Sequence, residues 1–176
     1  VHALVNNAGI SPKRENGDRL DTLTTDLSIW AEVLQVNLLA PALLTRRLTK
    51  SLQKGQGAVV NVTSIAGTRV HRFAGPAYAA SKAALSTLTR ELASDLGSLG
   101  IRVNAVSPGE IKTEMLSVAT ADEMIHDIPL HRLGDVEEVA SAIYFLCCGS
   151  ASYINGAEIE INGCLLYTSD AADEHG

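Results

Sequence analysis

Tyr78 and Lys82 stand four residues apart in a stretch, Pro76 to Leu99, whose pattern reads as a helix. That spacing puts both side chains on one face, one turn apart. An ammonium beside a phenol favours the phenolate, so the pair predicts a tyrosine of lowered pKa. Such a tyrosine can act as general acid or base. Alone, the pair reads better as a surface lysine lying along an aromatic ring. Ser64 lies fourteen residues before Tyr78, at the end of an apolar run. Its hydroxyl could hold a substrate oxygen beside the phenol; the plainer reading is a turn serine. Asn37 is polar among Leu34, Val36, Leu38 and Leu39. It reads either as a helix asparagine that disturbs the ladder and finds a water, or as the holder of a water through which Lys82 exchanges protons.

These residues need elements to position them. Ala3–Asn6, Ala58–Thr63 and Ile101–Val106 are short apolar runs rich in β-branched residues, as buried parallel strands are. Ala157 to Asn162 alternates apolar and polar, as a last strand does. Between them lie helical stretches: Ser28, as cap, to about Leu52, with Gly55 and Gly57 behind it; Pro76 to Leu99, stopped by Gly100; and Asp135 to about Cys148. Strands alternating with helices predict an α/β fold with one parallel sheet and right-handed crossovers. Asn7-Ala8-Gly9, Thr63-Ser64 and Ser107-Pro108-Gly109 then all fall at carboxyl ends of strands, the edge where such sheets bind ligands.

The 176 residues suffice for one domain with a core. Twenty acidic against fourteen basic residues, a net charge of −6 with no basic block, argue against a nucleic-acid partner. No apolar run stands out as the roughly 20 residues a membrane helix needs, so no membrane partner is expected. Three cysteines, two of them adjacent, make no disulfide framework and suit a reducing cytoplasm. His126 and His131 lack partners at ligand spacing, so no metal site is expected. His71 could touch substrate but reads more readily as a solvated loop histidine, and Met115 to Ile128 reads as a lid over substrate, the plainer alternative being a surface helix.

Asn7-Ala8-Gly9, Asn37, Ser64, Tyr78-Ala79-Ala80-Ser81-Lys82 and Ser107-Pro108-Gly109-Glu110-Ile111-Lys112-Thr113 together resemble the short-chain dehydrogenase/reductase family. Arg132-Leu133-Gly134 and Tyr153-Ile154-Asn155-Gly156 resemble its C-terminal segment, and its 3-oxoacyl-carrier-protein reductases look nearest. The resemblance implies a Rossmann-like doubly wound parallel sheet. It implies hydride transfer between a nicotinamide cofactor, NAD or NADP, and an alcohol or ketone: a 3-oxoacyl thioester, sugar, polyol or steroid-like alcohol. Tyr78 would pass the proton, Ser64 polarise the substrate oxygen, Lys82 bind the nicotinamide ribose and Asn37 anchor a relay water. Asn7, Ala8 and Gly9 would line the adenosine side of the dinucleotide, and Pro108, Gly109, Ile111 and Thr113 its nicotinamide end. A homodimer or homotetramer of the full-length protein, built on the two long helices, is implied as well.

The sequence departs from the family pattern in several places. The opening βαβ unit with its Gly-rich phosphate loop is absent, and with it the residue that sets NAD against NADP. Residues 1–163 are therefore expected to be the C-terminal two-thirds of the domain, an incomplete sheet. Cys164 to Gly176 resembles a translated sequencing adapter and is expected to be a non-native disordered tail. Without its acids Asp170, Asp173 and Glu174 the charge falls from −6 to −3. Ser11 to Asp26 reads as an extended loop, and the Ser64–Tyr78 interval is one residue longer than usual. The competing reading is a non-catalytic fragment or scaffold that cannot bind cofactor.

Overall fold

The computed structural model describes residues 1–113 and 124–165. Four strands, β1 (Ala3–Asn6), β2 (Ala58–Val62), β3 (Arg102–Pro108) and β4 (Glu158–Ile161), pair in that order, all parallel. Val59, Val60, Val103 and Val106 are fully buried, because successive residues point to opposite faces and both faces are covered. Val59 and Val103 pack with Leu52, Ala93 and Ile101 beneath the long helices. Val60 and Val106 pack with Leu146 and Ala151 on the other side. Helices on both faces of a parallel sheet make the fold α/β, doubly wound and Rossmann-like.

The first covering helix runs from Leu27 to Lys54 in three segments: α1 (Leu27–Leu34), a π-helical turn (Gln35–Leu39) and α2 (Ala40–Lys54). Asp26, not Ser28, occupies the N-cap position, and it makes no side-chain cap bond. By length and composition this helix could cross a bilayer, which corrects the expectation that no stretch qualifies. It was hidden because Asn37 and Thr45 interrupt the apolar run, yet both are fully buried here in a helix packed on the sheet and on the helix that follows β2. α3 (Pro76–Gly97) follows β2, and Gly100 at φ +73° turns the chain into β3. α4 (Val136–Cys147) lies on the opposite face.

Polar clamps fix the layers. Asn155 accepts from the Val103 amide at 2.8 Å and donates to the Ala93 carbonyl at 3.0 Å, tying β3 to α3. Asn6 donates to Asn61 (2.8 Å) and Asn61 to Thr89 (2.9 Å), crossing β1, β2 and α3 inside the core. The folded chain also runs past the expected boundary at residue 163. Leu165 is fully buried against Ile65 and Ile128, and its carbonyl accepts from Arg69 at 3.1 Å. Apolar contact and a backbone bond hold Cys164 and Leu165 with the domain, which corrects a tail starting at 164. Residues 166–176, and most of the expected lid Met115–Ile128, lie outside the described residues.

Candidate active site

The parallel register aligns Asn6 with Asn61 and Asn61 with Ala105, so the segments after β1, β2 and β3 emerge along one edge. Ser64 leaves β2 extended and caps a short 3-10 turn, Ile65–Gly67, its hydroxyl accepting from the Ala66 amide at 3.2 Å. The same hydroxyl lies close enough to the Tyr78 phenol to lower its pKa. Lys82, 4% exposed, lies one turn along α3, its ammonium 5.6 Å from the centre of the Tyr78 ring. The ammonium donates to the Val62 carbonyl at 2.7 Å.

Desolvation controls both titrations. Burial raises the Tyr78 pKa above its ordinary 10; the Ser64 hydroxyl opposes that rise and the Glu110 charge adds to it. Burial lowers Lys82 to about 8. The lowered tyrosine pKa expected from the Tyr–Lys spacing is therefore corrected. The ammonium lies over the face of the ring and donates to a carbonyl, and loss of water around the phenol sets the direction.

Asn37 sits fully buried in the π turn. Its amide donates to the Ile10 carbonyl (2.9 Å) and to Ser81 Oγ (3.0 Å), and its oxygen accepts from the Ile10 amide (2.8 Å). Ser81 Oγ in turn donates to the Tyr78 carbonyl at 2.7 Å. Asn37 thus binds the segment after β1 to the Tyr78–Lys82 turn of α3. Its side-chain donors are both used within the protein. Its backbone carbonyl differs: the α-helical donor for that oxygen belongs to residue 41, and Pro41 has no N–H. A π turn is a frequent mark of a functional position. Pro41 and Ser81 are site residues that the sequence reading passed over, although proline four residues after Asn37 was a readable signal.

Asn7, Ala8 and Gly9 are exposed on the edge. A Cβ on Gly9 would lie 3.3 Å from Lys82 Nζ and 3.5 Å from Asn37 Oδ1, so this glycine makes room for the site itself. Gly109 is required by the sheet: a Cβ there would meet Asn162 Cα and Cβ at 2.8 Å. Pro108 ends β3, and Ile111 is bridged to Gly134, with Lys112 N donating to the Gly134 carbonyl at 2.8 Å. Thr113 is exposed beyond that bridge. The predicted nicotinamide-side residues are thereby held as one ordered strap.

His71 is not a solvated loop residue. Its side chain is 12% exposed and its Nε2 lies 2.7 Å from Glu110 Oε1, itself 7% exposed. A buried carboxylate draws the histidine in because each needs a partner out of water. Among the described residues no group of three His, Cys, Asp or Glu could hold a metal ion. Cys147, Cys148 and Cys164 are free thiols.

With these residues placed, likeness to known proteins can be weighed. A family model described as enoyl-(acyl carrier protein) reductase matches residues 1–165. Protein FixR of Bradyrhizobium diazoefficiens is 56% identical over 163 residues, 93% of this chain and 59% of FixR. A short-chain dehydrogenase/reductase from Brucella ovis, solved with a partially ordered NAD, is 54% identical with a TM-score of 0.77, covering 92% of this chain and 65% of that one. A 3-oxoacyl-[acyl-carrier protein] reductase from Brucella melitensis with bound NAD is 34% identical with a TM-score of 0.87, covering 95% and 62%. The chain belongs to the short-chain dehydrogenase/reductase family, and it spans 59% of the length of its FixR relative.

Proposed function

We propose that this chain carries the catalytic part of an NAD- or NADP-dependent oxidoreductase acting on an alcohol or ketone, with residues 1–165 as the C-terminal two-thirds of the domain. The observation that carries the reading is the meeting of Ser64, Tyr78, Lys82 and Asn37 at the carboxyl edge of the sheet. The residues present fit a dinucleotide. Asn7, Ala8 and Gly9 offer exposed backbone on that edge, and Lys82 has three N–H donors of which one meets Val62. When bound, the nicotinamide gives or takes the hydride.

The chain's own residues do the remaining work. Ser64 orients and polarises the substrate oxygen. Tyr78, kept protonated by burial, donates its phenolic proton to that oxygen in reduction; in oxidation it first passes that proton to the Lys82 relay, and the phenolate then accepts the proton of the alcohol. Lys82 holds the nicotinamide ribose and returns the proton through a water at the Asn37 carbonyl, which Pro41 leaves without its helical donor. The substrate classes are a 3-oxoacyl thioester, sugar, polyol or steroid-like alcohol. Leu39, Leu43 and Leu44, each nearly half exposed on the long helix, support a homodimer or homotetramer. Three free thiols support a cytoplasmic location.

The test is NAD(P)H-linked turnover of an alcohol and ketone panel by the complete gene product. Tyr78→Phe should lower kcat by roughly 10²- to 10⁴-fold with thermal stability unchanged. Full activity in that variant would overturn the reading. A second reading, that residues 1–176 alone bind no dinucleotide, is favoured by the open edge of β1, where Val5 is 41% exposed and pairs with β2 only. Calorimetric titration of the chain with NADH decides it, and saturable binding would refute it.

A further inference from the structure

The two faces of β4 carry different side chains. Ile159 and Ile161 pack beneath α4 with Val106 and Leu146, so Glu158 points to the sheet face covered by the long helices. Much of that face is apolar, filled by Val59, Val103, Leu52 and Ala93. An acid is costly there unless its oxygens are bonded. Its register partner on β3 is Ala105, a fully buried methyl. The Glu158 side chain therefore passes over β3 and reaches β2, two strand spacings or about 10 Å away.

Glu158 Oε1 accepts from Thr63 Oγ1 at 2.5 Å, and Oε2 accepts from Ser86 Oγ on α3. Thr63 is buried, and its one hydroxyl proton is shared between Glu158 and the Val106 carbonyl at 2.9 Å. Ser86 Oγ in turn accepts from Arg90 at 3.1 Å. Guanidinium, two hydroxyls and carboxylate thus form one chain of charge-assisted bonds from the surface of α3 to the end of β2. Both arms end beside the reacting groups. Thr63 immediately precedes Ser64, and Ser86 stands one turn beyond Lys82. Deeper in the same layer β2 and α3 need no intermediary, since Asn61 donates directly to Thr89 at 2.9 Å. Two residues nearer the site, Thr63 and Ser86 meet through the carboxyl between them.

We propose that Glu158 is a positioning residue, a spacer that holds the strand end carrying Ser64 at a set distance from the helix turn carrying Tyr78 and Lys82. This rests on the oxidoreductase reading and adds to it a residue that acts through Thr63 and Ser86. The geometry it protects is the approach of the Ser64 hydroxyl to the phenol, because the substrate oxygen must meet both at once. A displacement of that approach by about 1 Å is enough to slow chemistry severely while leaving the cofactor contacts in place.

The test uses the complete gene product. Its kcat is read with NADH or NADPH on whichever of acetoacetyl-coenzyme A, acetoin and fructose the wild type reduces fastest, per cofactor site counted by calorimetry. Glu158→Ala removes both bonds and should lower kcat about 10- to 100-fold, with KM for the cofactor within about twofold of the wild type. Glu158→Gln keeps the length, accepts from Ser86 and donates its amide to Thr63, and should restore most of kcat. Ser86→Ala cuts the helix arm alone; combined with Glu158→Ala it should cost no more than Glu158→Ala by itself. Asn155→Ala, which unties β3 from Ala93 farther along α3, is the stability control and should lower the melting temperature with kcat unchanged. A merely structural Glu158 would behave as that control does. Unchanged kcat in Glu158→Ala, no rescue by Glu158→Gln, or additive losses in the double variant overturns the proposal while the oxidoreductase reading stands. If the wild type reduces none of the three ketones, both fall together. Should Glu158→Ala fail to fold, Ser86→Ala is read alone, and an unchanged kcat there overturns the proposal.

Discussion

Lys82 predicts a conflict between stability and catalysis that a single substitution exposes. The ammonium is buried, and its pKa falls to about 8 from the ordinary 10.5. That difference corresponds to on the order of 3 kcal/mol of penalty for keeping the charge in the folded chain. Below pH 8 the lysine is charged in both folded and unfolded states, and the penalty is complete. Between pH 8 and 10.5 only the unfolded state holds the proton, so stability rises with pH; above 10.5 the penalty is gone. Lys82→Met removes the charge and keeps the volume. It also strips the Val62 carbonyl of its 2.7 Å donor, which costs about 1 to 3 kcal/mol. At pH 7 the variant should therefore range from equally stable to about 2 kcal/mol more stable. The sharper signal is the pH dependence. Urea unfolding followed through Trp30, the single tryptophan, should show the wild type gaining on the variant by on the order of 3 kcal/mol between pH 7.5 and 10.5. Parallel curves for the two proteins would refute the reasoning, because they would mean that Lys82 titrates alike in both states.

Gly9→Ala places a methyl 3.3 Å from Lys82 Nζ, so kcat of the complete gene product should drop by about tenfold or more while its melting temperature barely moves. Gly109→Ala meets backbone of Asn162 at 2.8 Å and should destabilise the chain by about 1 to 3 kcal/mol in urea unfolding. Asn155→Ala strips the Val103 amide of its acceptor and the Ala93 carbonyl of one donor, and the same measurement should show a loss of about 1 to 3 kcal/mol. Because burial raises Tyr78 and lowers Lys82 to about 8, kcat/KM for ketone reduction should stay level through neutral pH and decline above about 8, where Lys82 loses its proton while the phenol keeps its own, which a pH–rate profile checks.

The strands and long helices were legible because their signals are local. A run such as Ala58–Val62 is apolar at every position, and a strand covered on both faces needs just that. The meeting of Ser64, Tyr78 and Lys82 was legible too, since a helical spacing and a strand end fix where each emerges. What the sequence hid depends on distant neighbours. His71 reads as a loop histidine until Glu110, thirty-nine residues away, is brought to 2.7 Å. The direction of the Tyr78 shift was misread for the same reason, because spacing gives the nearest charge and says nothing of how much water is removed. The helix start moved to Leu27 because Asp26 already stands extended before it, with Ser28 inside the first turn. Leu165 was assigned to a tail because adapter-like letters carry no fold signal, yet its side chain fills a space between Ile65 and Ile128.

Much of the site consists of backbone groups that every residue possesses: the Val62 carbonyl under Lys82, the Ile10 amide and carbonyl on Asn37, and the Tyr78 carbonyl on Ser81. No residue type marks such groups directly. They are marked instead by atoms left out. Gly9 omits the Cβ that would press on Lys82 and Asn37. Pro41 omits the N–H that would otherwise close on the Asn37 carbonyl, and the π turn displaces the helical ladder at that same point. Restoring the missing atoms one at a time should therefore harm catalysis more than folding. Pro41→Ala supplies the helix with its donor and, by propensity alone, should stabilise it. If Asn37 acts through its carbonyl, that more stable variant should be the slower enzyme. A variant both more stable and fully active would place the function of Asn37 in its side chain alone.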